Sequence, residues 1–222
     1  MSKRIEQIAK FTIGTSAIDI GSDHGYLLIN LNTKGFNKLL AIEKNQGPLE
    51  NCINNLQQEK LGDKIKTLLS DGLQKLPLTE VQKYENIIIA GMGGDLIGAI
   101  IKQDIAKFKT SYLILQPNNN EDKLRKILNE NNFELIKEII IKENNKYYEI
   151  IQAKFCSQKL NTLTAEELIF GQKQNFLTKE FQEKWEEEAK YLQNLINNLE
   201  QKNISINPEL KLKLKMIEDK RS

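Results

Sequence analysis

The sequence is poor in the residues that build metal sites. It has two cysteines, Cys52 and Cys156, and a single histidine, His24. Two thiols and one imidazole are too few for an ordinary structural zinc site, which takes four ligands from cysteine and histidine. Small buried thiols are the simplest interpretation of both cysteines. We therefore expect no metal.

Long apolar runs are also missing. Residues 1–6 contain no hydrophobic core of a secretory signal, and no stretch is long enough to span a bilayer. We expect a cytoplasmic protein without a membrane partner. Of 32 basic residues only Arg4, Arg125 and Arg221 are arginine, and the net charge is +2. This balance neither requires nor excludes a nucleic-acid partner, and phosphate contacts would depend mainly on lysine.

Strand and helix patterns alternate up to about residue 155. Short apolar runs predict strands at 17–20, 38–42, 65–69, 86–90 and 112–115. Helical patterns lie at about 5–9, 26–31, 48–59, 96–101 and 122–131. Pro48 suits the first residue of its helix. Two more strands, 133–141 and 147–153, flank Asn144-Asn145, a pair typical of hairpin turns. An α/β fold with a parallel sheet and a terminal antiparallel hairpin is the plan of class I methyltransferases, although dehydrogenases share the parallel units.

A different pattern begins after about residue 160, where the strands stop. Thr164 and Glu167 have the spacing of a capping box, and Thr178 is a candidate N-cap of a longer helix. Apolar residues then recur at heptad-like steps, at Trp185, Ala189, Leu192, Ile196, Leu199, Leu210, Leu214 and Ile217. This pattern predicts a small all-α, coiled-coil-like helical hairpin. With 10 basic and 11 acidic residues from 161 onward, it could serve packing, RNA contact or oligomer contact.

The most informative stretch lies at the end of the first predicted strand. Asp19 ends the strand, Gly21 lets the chain pass close to a ligand, and Asp23 and His24 follow at the turn. Nucleotide-like cofactors bind at this corner of an open α/β sheet. The turn lacks the G-x-G-x-x-G spacing that holds a pyrophosphate and offers acids instead. It therefore suits a cationic, phosphate-free ligand, of which S-adenosylmethionine (SAM) is the commonest, with Asp19 accepting from its ammonium group.

Acidic residues also follow the second and third strands. Glu43 lies 24 positions after Asp19, where an acid binds ribose hydroxyls in doubly wound folds. Asp71-Gly72 follows the third strand at the same level of the sheet. Its carboxylate could bind an adenine amino group, although Asp-Gly is also an ordinary turn pair.

Glycines and amides follow the fourth and fifth strands. The run Ala90-Gly91-Met92-Gly93-Gly94 would bring backbone close to a ligand, and it lacks the Gly-Lys-Ser/Thr of a phosphate loop. Gln116-Pro117-Asn118 ends the fifth strand, and its two side-chain amides offer donors and acceptors to the edge of a base.

Taken together, these segments resemble the bacterial tRNA (adenine-N1) methyltransferases that modify adenine 22 of tRNA, the TrmK family. The segments that carry the resemblance are 19–27, 47–48, 71–73, 90–94, 115–118 and 148–151. The Ser-Asp-His and Gly-Met-Gly-Gly motifs are specific in combination. The resemblance covers essentially the whole chain, including Phe170-Gly171 and the helical tail.

The resemblance implies a Rossmann-like, SAM-dependent methyltransferase domain, which we place at 1–158, and a helical domain at 159–222. It implies transfer of a methyl group to N1 of adenine 22 of tRNA, and we expect a monomer. The residues predicted to surround the cofactor are Asp19, Gly21, Ser22, Asp23, His24, Tyr26, Glu43, Lys44, Asp71, Gly72, Ala90, Gly91, Met92 and Gly93.

Methyl transfer to a neutral base depends mainly on alignment of the reacting atoms. Positive charge moves onto the base, so a carboxylate beside it would stabilise the transition state. By position, Asp23 is the first candidate, and His24 would orient it or accept a proton afterwards. Gln116 and Asn118 are candidates for holding the edge of the base.

The target base must be exposed from folded tRNA before it can react. Lys3, Arg4, Lys44 and Lys123 are candidates for contacts to flanking phosphates. Other functions stay open: a SAM-dependent methyltransferase of another RNA, a protein or a small molecule, or a non-catalytic RNA-binding scaffold. The many polar residues at strand ends argue against a scaffold, and the absent phosphate fingerprint argues against a dehydrogenase.

Overall fold

A computed structural model describes residues 2–221 and centres on a seven-stranded sheet. The strands are β1 (Ser16–Ile20), β2 (Lys38–Glu43), β3 (Ile65–Leu69), β4 (Asn86–Met92), β5 (Tyr112–Pro117), β6 (Phe133–Glu143) and β7 (Lys146–Phe155). Their order is β3-β2-β1-β4-β5-β7-β6. The first five strands are parallel, and only β7 runs against its neighbours. The predicted parallel sheet with a terminal antiparallel hairpin is confirmed.

Helices cover both faces of the sheet. Those of the first 171 residues are α1 (Lys3–Phe11), α2 (Tyr26–Thr33), α3 (Gln46–Gln58), α4 (Leu78–Val81), α5 (Gly94–Gln103), α6 (Ile105–Phe108), α7 (Glu121–Glu130) and α8 (Ala165–Phe170). Strand side chains alternate between faces, so Ile18 and Ile20 join one apolar cluster and Ala17 the other. Asp19 therefore points to the face that α1 and α2 cover. Cys52 is fully buried, as predicted, whereas Cys156 is partly exposed.

Two details of the helices differ from the sequence prediction. Helix α3 begins at Gln46, so Pro48 is its third residue and not its first. Proline is tolerated there because the first four N–H groups of a helix have no partner within it. Helices α4 and α6 were not predicted, since four residues are too few to show a helical period.

The hairpin turn between β6 and β7 has the predicted geometry. Asn144 and Asn145 have φ values of 49° and 58°, and Glu143 pairs with Lys146 across the turn. Positive φ at both central residues is the type I′ arrangement that asparagine tolerates. Because β6 runs in the same direction as β5, this turn lies at the edge of the sheet where the parallel strands end.

The chain divides into two compact units between Gly171 and Gln172. The predicted division was at 158/159, and the first unit is longer because α8 belongs to it. Phe170 is 1 % exposed, and Arg125 Nη1 of α7 donates to the carbonyl oxygen of Leu168 at 2.9 Å. These contacts fix the end of α8 on the core of the first unit.

The second unit contains a short 3-10 turn (Lys173–Asn175), α9 (Lys179–Gln201) and α10 (Pro208–Arg221). Buried positions on the two long helices include Trp185, Ala189, Leu192, Ile196, Leu214 and Ile217, all of them predicted. Lys211 pairs with Glu200 and Lys213 with Glu188, so the helices are antiparallel. Coiled-coil packing between them stays a prediction. No helix within residues 2–221 combines the length and apolar character needed to cross a membrane.

Gly94, at the start of α5, occupies a site with no room for a side chain. A Cβ there would lie 2.4 Å from the carbonyl oxygen of Asn120 and 2.9 Å from that of Asn119. We expect Gly94→Ala to lower the free energy of unfolding by about 2 kcal/mol, because backbone must move. Gly47→Ala, which meets nothing within 4 Å, should stay within about 1 kcal/mol of the wild type. Urea unfolding followed by circular dichroism measures both, and equal effects would contradict the steric explanation.

Candidate active site

The carboxyl ends of β1, β2 and β4 surround a cavity of about 440 Å³. Ten of the fourteen residues that the sequence places around the cofactor line it: Asp19, Gly21, Ser22, Asp23, His24, Tyr26, Glu43, Ala90, Gly91 and Met92. The turn after β1 is fixed by backbone hydrogen bonds from Gly21 N to Ile42 O and from Gly25 N to Ser22 O, both 2.8 Å long. The structure thus brings most of the predicted residues together.

Asp19 is the most unusual group in this cavity. The residue is 4 % exposed, and no donor among residues 2–221 makes a hydrogen bond to its carboxylate. Burial, together with the negative charge of Glu43, raises the pKa of Asp19 to about 7. The carboxylate opens onto the cavity and has no protein donor there, so this site favours a ligand that brings positive charge and N–H groups.

Glu43 and Asp23 form the next part of the wall. The backbone N–H of Asp23 donates to Glu43 Oε1, and Asp23 has a positive φ of 48°. This bond holds Asp23 in the left-handed region and leaves Glu43 Oε2 without a hydrogen-bond partner in the described part of the chain. The Asp23 side chain is exposed, with Oδ1 3.8 Å from Nε2 of His24, beyond hydrogen-bond distance. The rings of His24 and Tyr26 stack at 5.5 Å.

Arg4 of α1 lines the same cavity, although the sequence suggested only a phosphate contact for it. Its Nη1 donates to Oε1 of Gln116 at 3.2 Å, and its guanidinium lies 5.1 Å from the ring centre of Tyr148. Ile5 and Ile8 of α1 also line the cavity. The amphipathic pattern of 3–11 predicts the helix, but no local signal shows that its first turn lies at the carboxyl edge of the sheet.

Gln116 and Asn118 differ in their exposure to solvent. Gln116 is fully buried; its side chain accepts from Arg4 and donates to Asn118 Oδ1 at 3.0 Å. Asn118 is exposed, and its Nδ2 donates to the carbonyl oxygen of Gly91 at 2.7 Å. Gln116 therefore connects Arg4 with Asn118, and only Asn118 has the exposure that contact with a base requires.

The other four predicted cofactor residues, Lys44, Asp71, Gly72 and Gly93, do not line this cavity, and neither do Gln116 and Asn118. Lys44 Nζ lies 2.7 Å from an Asp71 carboxylate oxygen, and Lys123 Nζ lies 3.3 Å from one of Asp95. Both lysines thus have a carboxylate beside them. Within residues 2–221 there is no group of three or more His, Cys, Asp or Glu side chains that could hold a metal ion.

A second, mostly apolar cavity of about 540 Å³ lies beside the first. It is lined by Ser2, Ile5, Tyr26, Ile29 and Glu59. It shares Ile5 and Tyr26 with the 440 Å³ cavity, which we call the acidic cavity because Asp19, Asp23 and Glu43 line it. Because the two cavities have walls in common, the carboxyl edge offers adjoining polar and apolar space.

Comparison with known proteins identifies the family to which this site belongs. The model of the family tRNA (adenine(22)-N(1))-methyltransferase, TrmK, matches residues 17–219. The chain belongs to this family. The tRNA (adenine(22)-N(1))-methyltransferase of Bacillus subtilis (strain 168) is 31% identical to it over 215 residues, which cover 90% of this chain and 86% of the relative.

Solved structures agree with the family assignment. A Streptococcus pneumoniae protein in complex with S-adenosyl-L-methionine is 33% identical, with a TM-score of 0.86 and full coverage of both chains. M. capricolum TrmK in complex with S-adenosyl-homocysteine is 29% identical, with a TM-score of 0.83, and the match covers 99% of this chain and 96% of that one. The predicted Rossmann-like methyltransferase fold is confirmed.

As a TrmK family member, the protein is a SAM-dependent tRNA (adenine(22)-N(1))-methyltransferase, as the sequence predicts. The charges of the acidic cavity fit this cofactor. SAM carries a sulfonium, an ammonium and a carboxylate group. Opposite them the described lining residues offer three carboxylates, of Asp19, Asp23 and Glu43, and one guanidinium, of Arg4.

Proposed function

We propose that the 440 Å³ cavity holds SAM with its methionine end between Asp19 and Arg4, and that Asp23 faces the target adenine of tRNA. The observation that carries this proposal is the buried Asp19 carboxyl, which has no donor among residues 2–221. An ammonium group would supply both the missing charge and the missing hydrogen bonds.

Arg4 provides the opposite charge for the methionine carboxylate. Its guanidinium is held by Gln116 Oε1 and the Tyr148 ring, so its direction is set before any ligand arrives. A preorganised guanidinium binds a carboxylate with little loss of side-chain entropy. Gln116 is thus a positioning residue, because it acts on the ligand through Arg4.

Glu43 is placed for the ribose. One of its carboxylate oxygens accepts from the Asp23 N–H, and the other is available for the hydroxyl groups of the sugar. The bond from Asp23 also fixes the Glu43 side chain, so a ribose would meet an acceptor that is already oriented. Asp71 lies after β3, and contact between it and the cofactor adenine stays a prediction.

Bound SAM supplies an electrophilic methyl group, which the N1 lone pair of adenine takes while the sulfonium becomes a neutral thioether. The base gains positive charge in this step, and a carboxylate near it lowers the barrier. Asp23 is exposed at the cavity wall and is our candidate for this group. Exposed Asn118 is our candidate for holding the edge of the base. A proton-accepting role for His24 stays a prediction.

Asp23→Asn tests the assigned role. We expect turnover to fall at least about a hundredfold, because the transition state loses a nearby negative charge, while the SAM dissociation constant changes less than about threefold. Single-turnover methyl transfer to tRNA and calorimetric titration with SAM measure the two quantities. Asp63→Asn, at an exposed loop position, serves as the control and should change neither. Equal losses of turnover and affinity would assign Asp23 to cofactor binding instead.

We also infer that the protein acts as a monomer in the cytoplasm. The substrate, tRNA, is a cytoplasmic molecule. Light scattering on the purified protein, with and without tRNA, measures the oligomeric state.

A further inference from the structure

We infer that a basic surface at the β6–β7 turn binds the phosphate backbone of the tRNA substrate beside the acidic cavity. This hairpin surface consists of Lys3, Lys142 and Lys146, with the exposed Asn144 and Asn145 between the last two. The inference rests on the proposed function, because it takes tRNA as the ligand.

The position of the hairpin surface follows from the topology of the sheet. Strand β6 ends at the same edge as β1, β4 and β5, where the acidic cavity lies. Helix α1 links the two features: Ser2 Oγ donates to both carboxylate oxygens of Glu143, at 2.9 and 3.0 Å, and Arg4 N donates to one at 3.3 Å. Lys3 stands between these residues and donates to Lys142 O at 3.4 Å. Lys3 of the hairpin surface thus directly precedes Arg4, which lines the acidic cavity.

The hairpin surface carries a net positive charge because its three lysines outnumber its one acid. Glu143 is the only acidic residue among 142–146. Burial acts in the opposite direction, yet hydrogen bonds from Ser2 and from the first backbone N–H groups of α1 lower the pKa of Glu143. Its negative charge therefore lies at the amino end of α1, which an anion stabilises. Lys3 and Lys146 are both exposed to solvent.

The hairpin surface combines the exposed side chains of Lys3 and Lys146 with two asparagine amides on a turn of fixed geometry. Lys142 is half-buried, and its Nζ donates to the hydroxyl oxygen of Tyr147 at 2.6 Å. Lysine, asparagine and backbone groups are the usual partners of phosphate and sugar oxygens in nucleic-acid complexes.

The test compares two double variants that remove the same charge. Lys3→Gln with Lys146→Gln changes the hairpin surface. Lys34→Gln with Lys64→Gln changes exposed lysines before β2 and β3, at the opposite edge of the sheet. We measure tRNA affinity by fluorescence anisotropy across a series of KCl concentrations, together with SAM affinity and turnover at saturating tRNA.

We expect the first double variant to bind tRNA about tenfold more weakly at low salt. The slope of log Kd against log salt should fall by about one to two, as expected for one or two lost phosphate contacts. Its SAM affinity and its turnover at saturating tRNA should match the wild type, and Lys3→Arg with Lys146→Arg should restore tRNA affinity.

Unchanged affinity and slope in the first double variant would overturn the inference, as would an equal loss in the Lys34 and Lys64 variant. Methylation of the same tRNA by the wild type is assayed in parallel. This assay distinguishes failure of the hairpin surface from failure of the proposed function. A wild type that methylates tRNA, beside a first double variant that binds normally, would refute the hairpin surface and leave the proposed function standing. A wild type that binds tRNA without methylating it would count against the function alone.

Discussion

Asp19→Asn should weaken SAM binding about a hundredfold at pH 8, because the buried charge that we propose to face the ligand's ammonium group is lost. The same change should stabilise the free protein. Asp19 is 4 % exposed, and burial beside Glu43 raises its pKa to about 7. A site that is costly for the empty protein and favourable for the complex is expected where a cationic ligand completes it.

The sign of the stability change follows from proton linkage. The folded protein holds a proton on Asp19 up to about pH 7, whereas the unfolded chain releases it near pH 4. The wild type therefore loses stability as the pH rises from about 4 to 7, and the loss persists above 7. Asparagine removes this cost, so the variant should gain up to about 4 kcal/mol at pH 8 and almost nothing at pH 4.

Thermal unfolding and calorimetric titration with SAM at pH 5, 6, 7 and 8 test both halves of this prediction. SAM affinity of the wild type should rise with pH up to about 7 and then level off, because binding requires the ionised carboxylate. The variant should lose this pH dependence. Asp63→Asn removes an exposed acid and should behave like the wild type. An Asp19→Asn protein that binds SAM normally at pH 8 would refute the assignment of Asp19.

Arg125→Met is expected to lower the free energy of unfolding by about 3–5 kcal/mol. Arg125 is 1 % exposed, its Nε lies 2.8 Å from Glu138 Oε1, and its Nη2 pairs with Glu149. Its Nη1 donates to the carbonyl oxygens at the end of α8. Methionine would leave two buried carboxylates without this cation and would release the last residues of α8.

Chemical unfolding measures this effect. Two further variants serve as a control and as a rescue. Lys126→Met changes the exposed neighbour on the same helix and should stay within about 0.5 kcal/mol of the wild type. Combining Arg125→Met with Glu138→Leu and Glu149→Leu should recover much of the lost stability, since the uncompensated charges are then gone. A single Arg125→Met variant as stable as the wild type would contradict the importance of this buried ion group.

The fold could be predicted from the sequence where the pattern is local. Short apolar runs mark all seven strands, and Asn144-Asn145 marks the hairpin because few other residues adopt positive φ at two successive positions. The end of the first unit could not be predicted this way. Helix α8 belongs to that unit through its bonds to Arg125, and an arginine within an amphipathic helix gives no sign that it is buried.

The candidate site could also be predicted from the sequence only in part. Asp19 and Glu43 lie at the carboxyl ends of β1 and β2, and Asp23 follows β1, so their meeting at one edge could be predicted from the α/β plan alone. The place of Arg4 could not, because it depends on how α1 packs across the sheet. The burial of the Gln116 side chain could not be predicted either, since a side chain at a strand end can face either the core or the ligand.

Methyl transfer to two tRNA transcripts tests the central claim most directly. One transcript carries adenine at position 22, and the other is identical except for guanine at that position. We expect the protein to transfer labelled methyl from SAM to the first transcript and not to the second, with the label at N1 of adenine 22. Equal labelling of both transcripts, or of neither, would contradict methylation of this adenine.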